Sequence, residues 1–361
     1  MKNLLFTLAI LLQGFYILGQ ETTFQTEGKK LLQNAIEEKQ CVGIAAGFSI
    51  NGIIKWQEGA GFSDTKNNQT FDTSSLTRIA SITKPMTAIA IMQLYEWGKL
   101  DLEKPVQTYL PTFPVKKEGD ITIRQLLQHS SGLDGYKSDK EQENKTNYPT
   151  LTDAVSIFKD RDLISVPGKA FNYTTYGYVV LGLIIEKVSG MSYEAYLQAN
   201  IWDKAGMTHT GIEYFDKKIE NKSIIYHKNS KGKIKEADPT NLSDRIPGGG
   251  VYSCLTDMLK FGDAVLNNSL IKESTLKMML EDPNLKKEGN GYGFGWYLYG
   301  ENPKYGNVFG HNGTQTGAST FLMLLPGQQT TIAVLSNTSG AMQSVSNITI
   351  KLFDVAAAAK N

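Results

Sequence analysis

The stretch Ser81-Ile82-Thr83-Lys84-Pro85 stands where a loop of small polar residues changes to a strongly helical run. Residues three apart lie on one face of a helix, so a helix that begins near Ser81 brings the Lys84 amine beside the Ser81 hydroxyl. A serine hydroxyl becomes a good nucleophile when a neighbouring base takes its proton. Lysine can be that base when burial, nearby cations or the positive end of a helix lower its pKa. Ser81 is therefore a candidate nucleophile.

The Ser-x-x-Lys pattern alone is not specific in this chain. It also begins at Ser63, Ser156, Ser230, Ser269 and Ser274. The choice of Ser81 therefore depends on other motifs along the chain.

The composition is that of a soluble globular protein. The chain has 361 residues, 41% of them hydrophobic and 20% charged, and its formal net charge is +1. Such a balance, without a long block of like charge, gives no electrostatic footprint for nucleic acid or an anionic membrane. The substrate need not be strongly charged.

The N-terminus has the pattern of a secretory signal peptide. Residues 1–19 contain Lys2, an apolar run from Leu4 to Leu12, and no further charge before Glu21. This pattern predicts export to the periplasm or the medium, with cleavage near Gly19. The alternative is an uncleaved anchor, for which the apolar run is short.

The cysteines and histidines indicate neither a disulfide scaffold nor a metal centre. Cys41 and Cys254 are the only cysteines, and two buried free thiols are favoured over a disulfide. None of the four histidines has metal-ligand spacing; they are His129, His209, His227 and His311. The sequence predicts no metal and no cofactor.

Secondary-structure signals alternate between strands and helices. A helix over residues 24–38 precedes two apolar runs around Asn51-Gly52, which predict a β-hairpin with a type I′ turn. Helical periodicity follows from Ser81 to about Gly206, including residues 121–129 and 176–188. A second hairpin over residues 321–335 and a helix over 341–359 complete the chain.

This order predicts an α+β fold with an antiparallel sheet assembled from both ends of the chain. Terminal helices flank the sheet, and a mostly helical lobe is inserted. We expect one domain over 20–361, with an α/β lobe over about 24–80 and 241–361 and a helical lobe over about 81–240. A cleft is expected at the seam between them. Residues 137–147 and 213–240 are polar and are predicted to be surface insertions.

Several further stretches accompany the Ser81 tetrad in a fixed order. They are Ile121–Leu133, Pro167-Gly168 with Phe171–Tyr178, Ala205–Met207, Ile246–Tyr252, Tyr292–Trp296 and Phe309–Thr314. Together they resemble the serine β-lactamase and penicillin-binding-protein superfamily, in particular its branch of class C β-lactamases, D,D-peptidases and esterases. The resemblance covers roughly residues 25–355. It implies a β-lactamase/transpeptidase-like fold and acyl transfer.

The resemblance implies roles for three catalytic residues. Ser81 would attack a carbonyl and become acylated, while Lys84 and Tyr173 share the proton transfers. A tyrosine hydroxyl is a useful base only when its pKa is lowered, and the Lys84 ammonium is expected to lower it. Which of the two residues takes the proton stays open.

The resemblance also implies a substrate-binding strand. His311 would hold the far end of the acyl substrate as a cation or donor, or assist the proton relay, and Gly313 would let the substrate backbone approach. The oxyanion would be bound by the backbone N–H groups of Ser81 and Thr314. The glycines Gly248–Gly250 are interpreted as a structural turn.

The chain departs from the family pattern at Thr175. The family's second motif is usually Tyr-x-Asn, whose amide offers a donor and an acceptor to the substrate, whereas threonine has one hydroxyl. Threonine at this position favours substrates that have no acylamino amide, such as simple esters, but it does not exclude a D,D-peptidase. The alternatives are an efficient β-lactamase, a non-catalytic cell-wall binding protein and a surface scaffold. The expected partner is a small-molecule or peptide acyl substrate, including one derived from the cell wall.

Overall fold

The computed structural model describes residues 23–285 and 291–359. The predicted signal peptide, residues 1–19, lies outside the described residues. The strands are β1 Gly43–Ile50, β2 Ile53–Asp64, β3 Gln69–Thr70, β4 Thr77–Arg78, β5 Gly211–Ile212, β6 Tyr226–Lys228, β7 Ile234–Glu236, β8 Val251–Ser253, β9 Tyr297–Asn302, β10 Gly306–Gln315, β11 Ala318–Leu325, β12 Thr330–Ser336 and β13 Thr338–Ser339.

A seven-stranded sheet has the order β3-β2-β1-β12-β11-β10-β9, with every neighbouring pair antiparallel. Strand β1 pairs with β12, so the two ends of the chain meet in the sheet. The hairpin between β1 and β2 turns at Asn51 and Gly52, whose φ angles are 53° and 73°. Positive φ at both turn residues is typical of the predicted type I′ turn. The predicted α+β class and the sheet built from both ends are confirmed.

The helices are α1 Thr23–Glu37, α2 Thr83–Glu96, α3 Ile123–Leu127, α4 Asp139–Gln142, α5 Leu151–Ser156, α6 Thr175–Ser189, α7 Tyr193–Leu197, α8 Asp203–Ala205, α9 Ile246–Gly249, α10 Leu255–Leu266, α11 Glu273–Met279 and α12 Met342–Ala358. Helices α1 and α12 pack together against one face of the sheet. Along β1, Ile44, Ala46 and Phe48 belong to this core, whereas Ala45 belongs to the other. Both faces of the central strands are therefore covered.

Helix α2 runs through the second core and is buried on nearly every side. An apolar surface all round is typical of a buried helix. Helix α6 packs against it; Thr174 caps its N-terminus, and Gly190, with φ of 73°, ends it. The predicted helix over 121–129 is shorter, Ile123–Leu127, because Thr122 caps its start and the chain leaves the helix at Gln128, before His129 with φ of 57°. The lobe boundaries near residues 80 and 241 stay a prediction.

Cys41 and Cys254 are buried free thiols, as expected.

Among the residues that the structure describes, no helix combines the length and the apolar character needed to span a bilayer.

Candidate active site

Ser81 lies in a 3₁₀ turn, Ala80–Ile82, directly before α2. Ala80 has a φ of 50°, a left-handed conformation that a non-glycine residue adopts only under support from its surroundings. Strand β10 supplies part of that support, because a Cβ at Gly313 would lie 2.3 Å from the Ile79 carbonyl oxygen. We expected Gly313 to admit the substrate backbone. The structure shows that this glycine lets β10 lie close to the nucleophile turn, and its role towards the substrate stays a prediction.

The Lys84 amine has three polar neighbours. Its Nζ lies 2.9 Å from Ser81 Oγ, 2.8 Å from the Gly248 carbonyl oxygen and 3.4 Å from Thr175 Oγ1. Lys84 is fully buried, and this burial, with the cation of Arg245 nearby, holds the pKa of the amine well below its usual range. A neutral amine has two N–H donors and one lone pair. The three contacts match if Lys84 donates to Gly248 and Thr175 and accepts from the Ser81 hydroxyl.

The environment of Tyr173 differs from the expectation. Although 37% of the residue is exposed, loss of water around its hydroxyl raises the pKa well above the usual value, and nearby Tyr297 adds to the rise. An interaction with the Ser81 hydroxyl lowers the pKa but does not outweigh these effects. The expectation that a Lys84 ammonium lowers the pKa of Tyr173 is wrong, since the pKa of Tyr173 is raised and burial disfavours the ammonium form of Lys84. Tyr173 is a neutral phenol beside the nucleophile.

His129 holds the backbone on both sides of Tyr173. Its carbonyl oxygen accepts from the Asn172 N–H at 2.7 Å, and its Nδ1 accepts from the Thr174 N–H at 3.2 Å. The imidazole lies 4.3 Å from the Tyr173 ring, centroid to centroid. The acceptor role of Nδ1 places the proton of the neutral ring on Nε2. Sequence reasoning quoted the stretch that contains His129 but did not predict this positioning.

His311 is fully buried in β10 and is not a cation. Its Nδ1–H donates to the Asn312 carbonyl oxygen at 2.6 Å, and its Nε2 accepts from the Tyr292 hydroxyl at 3.1 Å. Burial, with Lys84 nearby, lowers the pKa of His311 to about 3. The expectation of a cation that holds the substrate is therefore wrong, and both ring nitrogens already have partners.

The buried neutral state of His311 makes stability depend on pH. Its folded pKa is about 3, and the unfolded value is about 6.5, so the unfolded chain binds the extra proton between these values. The contribution is complete above about pH 6.5, and the free energy of unfolding falls as pH drops towards 3, by about 1.4 kcal/mol per pH unit for one such group. We expect His311→Gln to reduce this slope in urea unfolding measured at several pH values. The exposed His227→Gln is the control, and an unchanged slope in His311→Gln would contradict the prediction.

A small cavity of ≈ 50 Å³ brings together Ser81, Thr175 and Thr314. Other residues of its wall were not predicted, among them Tyr136, Gln142, Arg245 and Gln315. Gln142 belongs to the segment 137–147, which we expected to be a surface insertion. The segment is largely exposed, as expected, but it also contacts the site, because the Arg245 guanidinium donates to the carbonyl oxygens of Glu141 and Gln142. The signal available in the sequence was an arginine directly before the stretch Ile246–Tyr252, which belongs to the family resemblance.

One group of possible metal ligands occurs among the described residues. Single ligand atoms of His209, Cys254 and Asp257 lie within 4.8 Å of one another. However, the Asp257 carboxylate already accepts from the His209 N–H at 2.6 Å, and the Lys260 ammonium lies 3.8 Å from its other oxygen. These contacts account for the carboxylate as a structural group.

An antiparallel sheet with flanking terminal helices, and a serine–lysine pair at the start of a buried helix, define a serine β-lactamase-like fold. Residues 29–357 match the family model described as Beta-lactamase, so the chain belongs to this family, whose members are generally serine hydrolases. The resemblance to the β-lactamase and penicillin-binding-protein superfamily is thus confirmed.

Two curated relatives illustrate the range of the family. The chain is 29% identical to the human serine beta-lactamase-like protein LACTB, mitochondrial, over 82% of this chain and 71% of the relative. It is 30% identical to penicillin-binding protein 4* of Bacillus subtilis, over 88% of this chain and 71% of the relative.

Solved structures agree with this assignment. The octameric penicillin-binding protein homologue from Pyrococcus abyssi has a TM-score of 0.80 at 25% identity, covering 92% of this chain and 77% of that one. The D-amino acid amidase from Ochrobactrum anthropi has a TM-score of 0.82 at 20% identity, covering 94% and 100%. The second likeness shows the fold alone.

Proposed function

We propose that the chain is an exported serine hydrolase that works by acyl transfer through an acyl-enzyme on Ser81. The observation that carries the proposal is the 2.9 Å contact between Ser81 Oγ and a fully buried Lys84 amine. A serine with a neutral amine in hydrogen-bond contact is an activated nucleophile. The pattern of residues 1–19 supports export, and the relationship to penicillin-binding protein 4* supports a cell-wall-derived substrate.

In the proposed reaction Ser81 Oγ attacks a carbonyl carbon while its proton passes to Lys84 Nζ. The backbone N–H groups of Ser81 and Thr314 stabilise the oxyanion, an interaction that typically contributes about 3 kcal/mol. Tyr173, a neutral phenol, gives its proton to the leaving group as that bond breaks. The proton that Lys84 took from Ser81 then passes to Tyr173 and restores the neutral phenol. Hydrolysis of the acyl-enzyme reverses these transfers: Tyr173 passes its proton to Lys84 and takes one from the attacking water, and Lys84 then returns its proton to Ser81 Oγ.

Two types of activity fit this site, a D,D-peptidase or penicillin-binding activity and a carboxylesterase activity. The test is the intact mass of the mature protein after incubation with penicillin, followed by mapping of any adduct to a peptide. A stable adduct on the peptide that contains Ser81 supports the first type. Ester turnover without an adduct supports the second. Absence of both penicillin adduct and turnover of an activated ester would overturn the proposed function.

The Thr175 position gives a separate prediction. Its hydroxyl lies 3.4 Å from Lys84 Nζ, whereas an asparagine would add a carboxamide to the same cavity wall. We expect Thr175→Asn to raise kcat/KM for amide-bearing substrates by about fivefold, since a net hydrogen bond contributes about 1 kcal/mol. Thr175→Val, which has no hydroxyl and no amide, is the matched comparison. If Thr175→Asn handles penicillins and D-Ala-D-Ala peptides no better than wild type, Thr175 does not limit amide recognition.

A further inference from the structure

The side-chain amide of Gln315 is a hydrogen-bond donor that is not paired within the described part of the protein. Its Nε2 is buried and has no hydrogen-bond partner among the described residues. Burying such a donor without a partner costs about 1–3 kcal/mol, and native structures retain such groups at few places. Gln315 lines the same cavity as Ser81 and Thr175. The unpaired donor is therefore at the candidate active site.

The end of β10 fixes the position of Gln315. Gln315 pairs with Ala318 across the turn to β11, and the Arg78 guanidinium donates to the Thr316 carbonyl oxygen at 2.8 Å. The carboxamide extends over Gly249: its Oε1 lies 3.5 Å from the point that a Cβ there would occupy, and Ala80 lies at a similar distance from that point. The Gln315 carboxamide and Ala80, the residue before the nucleophile, therefore both lie next to Gly249.

The charges around the cavity favour a neutral acceptor. Arg245, the guanidinium in the wall, is paired with the Asp244 carboxylate through Nε at 2.8 Å and Nη2 at 2.9 Å. Burial lowers the pKa of Lys84 well below its usual range and so disfavours its ammonium form. Because the guanidinium is paired with a carboxylate and the ammonium form of Lys84 is disfavoured, these groups offer little net positive charge to a carboxylate. An amide carbonyl oxygen accepts a hydrogen bond without requiring such charge.

We propose that Gln315 is a specificity-determining residue that donates its Nε2–H to the amide carbonyl oxygen of an acylamino group in the acyl part of the substrate. Gln315 supplies an amide donor, which Thr175 does not have. The proposed substrate class is therefore N-acylated amino-acid esters or amides rather than simple alkyl esters. This inference rests on the proposed function, because it concerns the acyl group that Ser81 receives.

Three p-nitrophenyl esters isolate the contact, because they share one leaving group. The levulinate ester has a ketone oxygen where an N-acetylglycyl group has its amide oxygen. The pentanoate ester has a methylene there, and the succinate monoester has a carboxylate. We expect wild type to prefer levulinate over pentanoate by about tenfold in kcat/KM, a ratio typical of a hydrogen bond to a buried donor. Gln315→Leu and Gln315→Glu are expected to lower this ratio to about one.

The ratio of two substrates cancels a general loss of folded enzyme. The exposed Gln343→Leu, on α12, is the control and should keep the wild-type ratio. Equal rates for levulinate and pentanoate in wild type, with turnover that depends on Ser81, would overturn this inference and leave the proposed function intact. A preference for succinate that Gln315→Leu removes would also overturn it, because the residue would then bind an anion. No Ser81-dependent turnover of any ester would instead count against the proposed function.

Discussion

Ser81→Ala is expected to abolish acylation. The variant should give no penicillin adduct by intact mass, and its turnover of an activated ester should fall by on the order of 10⁴-fold or more, as loss of the nucleophile does in serine hydrolases. The physical reason is that Ser81 Oγ is the atom in contact with the Lys84 amine, at 2.9 Å. Alanine leaves the turn and the buried lysine in place but removes the atom that forms the bond.

The chain offers a matched control for this experiment. Ser156 begins another Ser-x-x-Lys tetrad, but it is exposed and its hydroxyl donates to the Asp153 carbonyl oxygen at 2.6 Å. Ser156→Ala should acylate like wild type. An adduct that persists in Ser81→Ala, or that disappears in Ser156→Ala, would show that the nucleophile is a different residue.

The features that follow local rules could be predicted from the sequence. The Asn51-Gly52 hairpin follows from two residues that tolerate positive φ, and the contact between Ser81 and Lys84 follows from helical spacing. The helix that begins at Thr175 also follows from its period and its closing Gly190.

The electrostatics of the site could not be predicted in the same way. The contact between Lys84 and the Gly248 carbonyl joins residues that are 164 positions apart. Burial of this kind lowers the pKa of Lys84, as a base requires, and raises the pKa of Tyr173, which is opposite to the direction expected for the tyrosine. The neutrality of His311 likewise depends on its hydrogen bond with Tyr292 and on its burial within β10. Neither can be predicted from the neighbouring residues in the sequence. Local spacing therefore predicted that Ser81 and Lys84 meet, whereas the protonation of the site residues depends on long-range packing.

Lys84→Met is expected to lower the acylation rate by about 10³-fold, because general-base assistance typically contributes about 10² to 10⁴. Methionine has a similar length and no proton acceptor of comparable strength. In wild type the acylation rate should rise with pH as the amine loses its proton, and should level off well below pH 10.5, since burial and Arg245 lower the pKa of Lys84. In Lys84→Met this rising limb should be absent. Pre-steady-state release of p-nitrophenol over a pH series measures both effects.

Lys277, the lysine of the Ser-x-x-Lys tetrad that begins at Ser274, is the control for this substitution. It is exposed on α11 and pairs with Glu273, so Lys277→Met should keep both the rate and the pH limb. Lys84→Arg separates charge from basicity, because a guanidinium stays protonated and cannot accept the Ser81 proton. If Lys84→Met kept the rising limb at a higher pH, the base would be Tyr173, whose phenol loses its proton only at a raised pKa. A limb that disappears with Lys84 assigns the proton transfer to the amine and leaves Tyr173 as the donor to the leaving group.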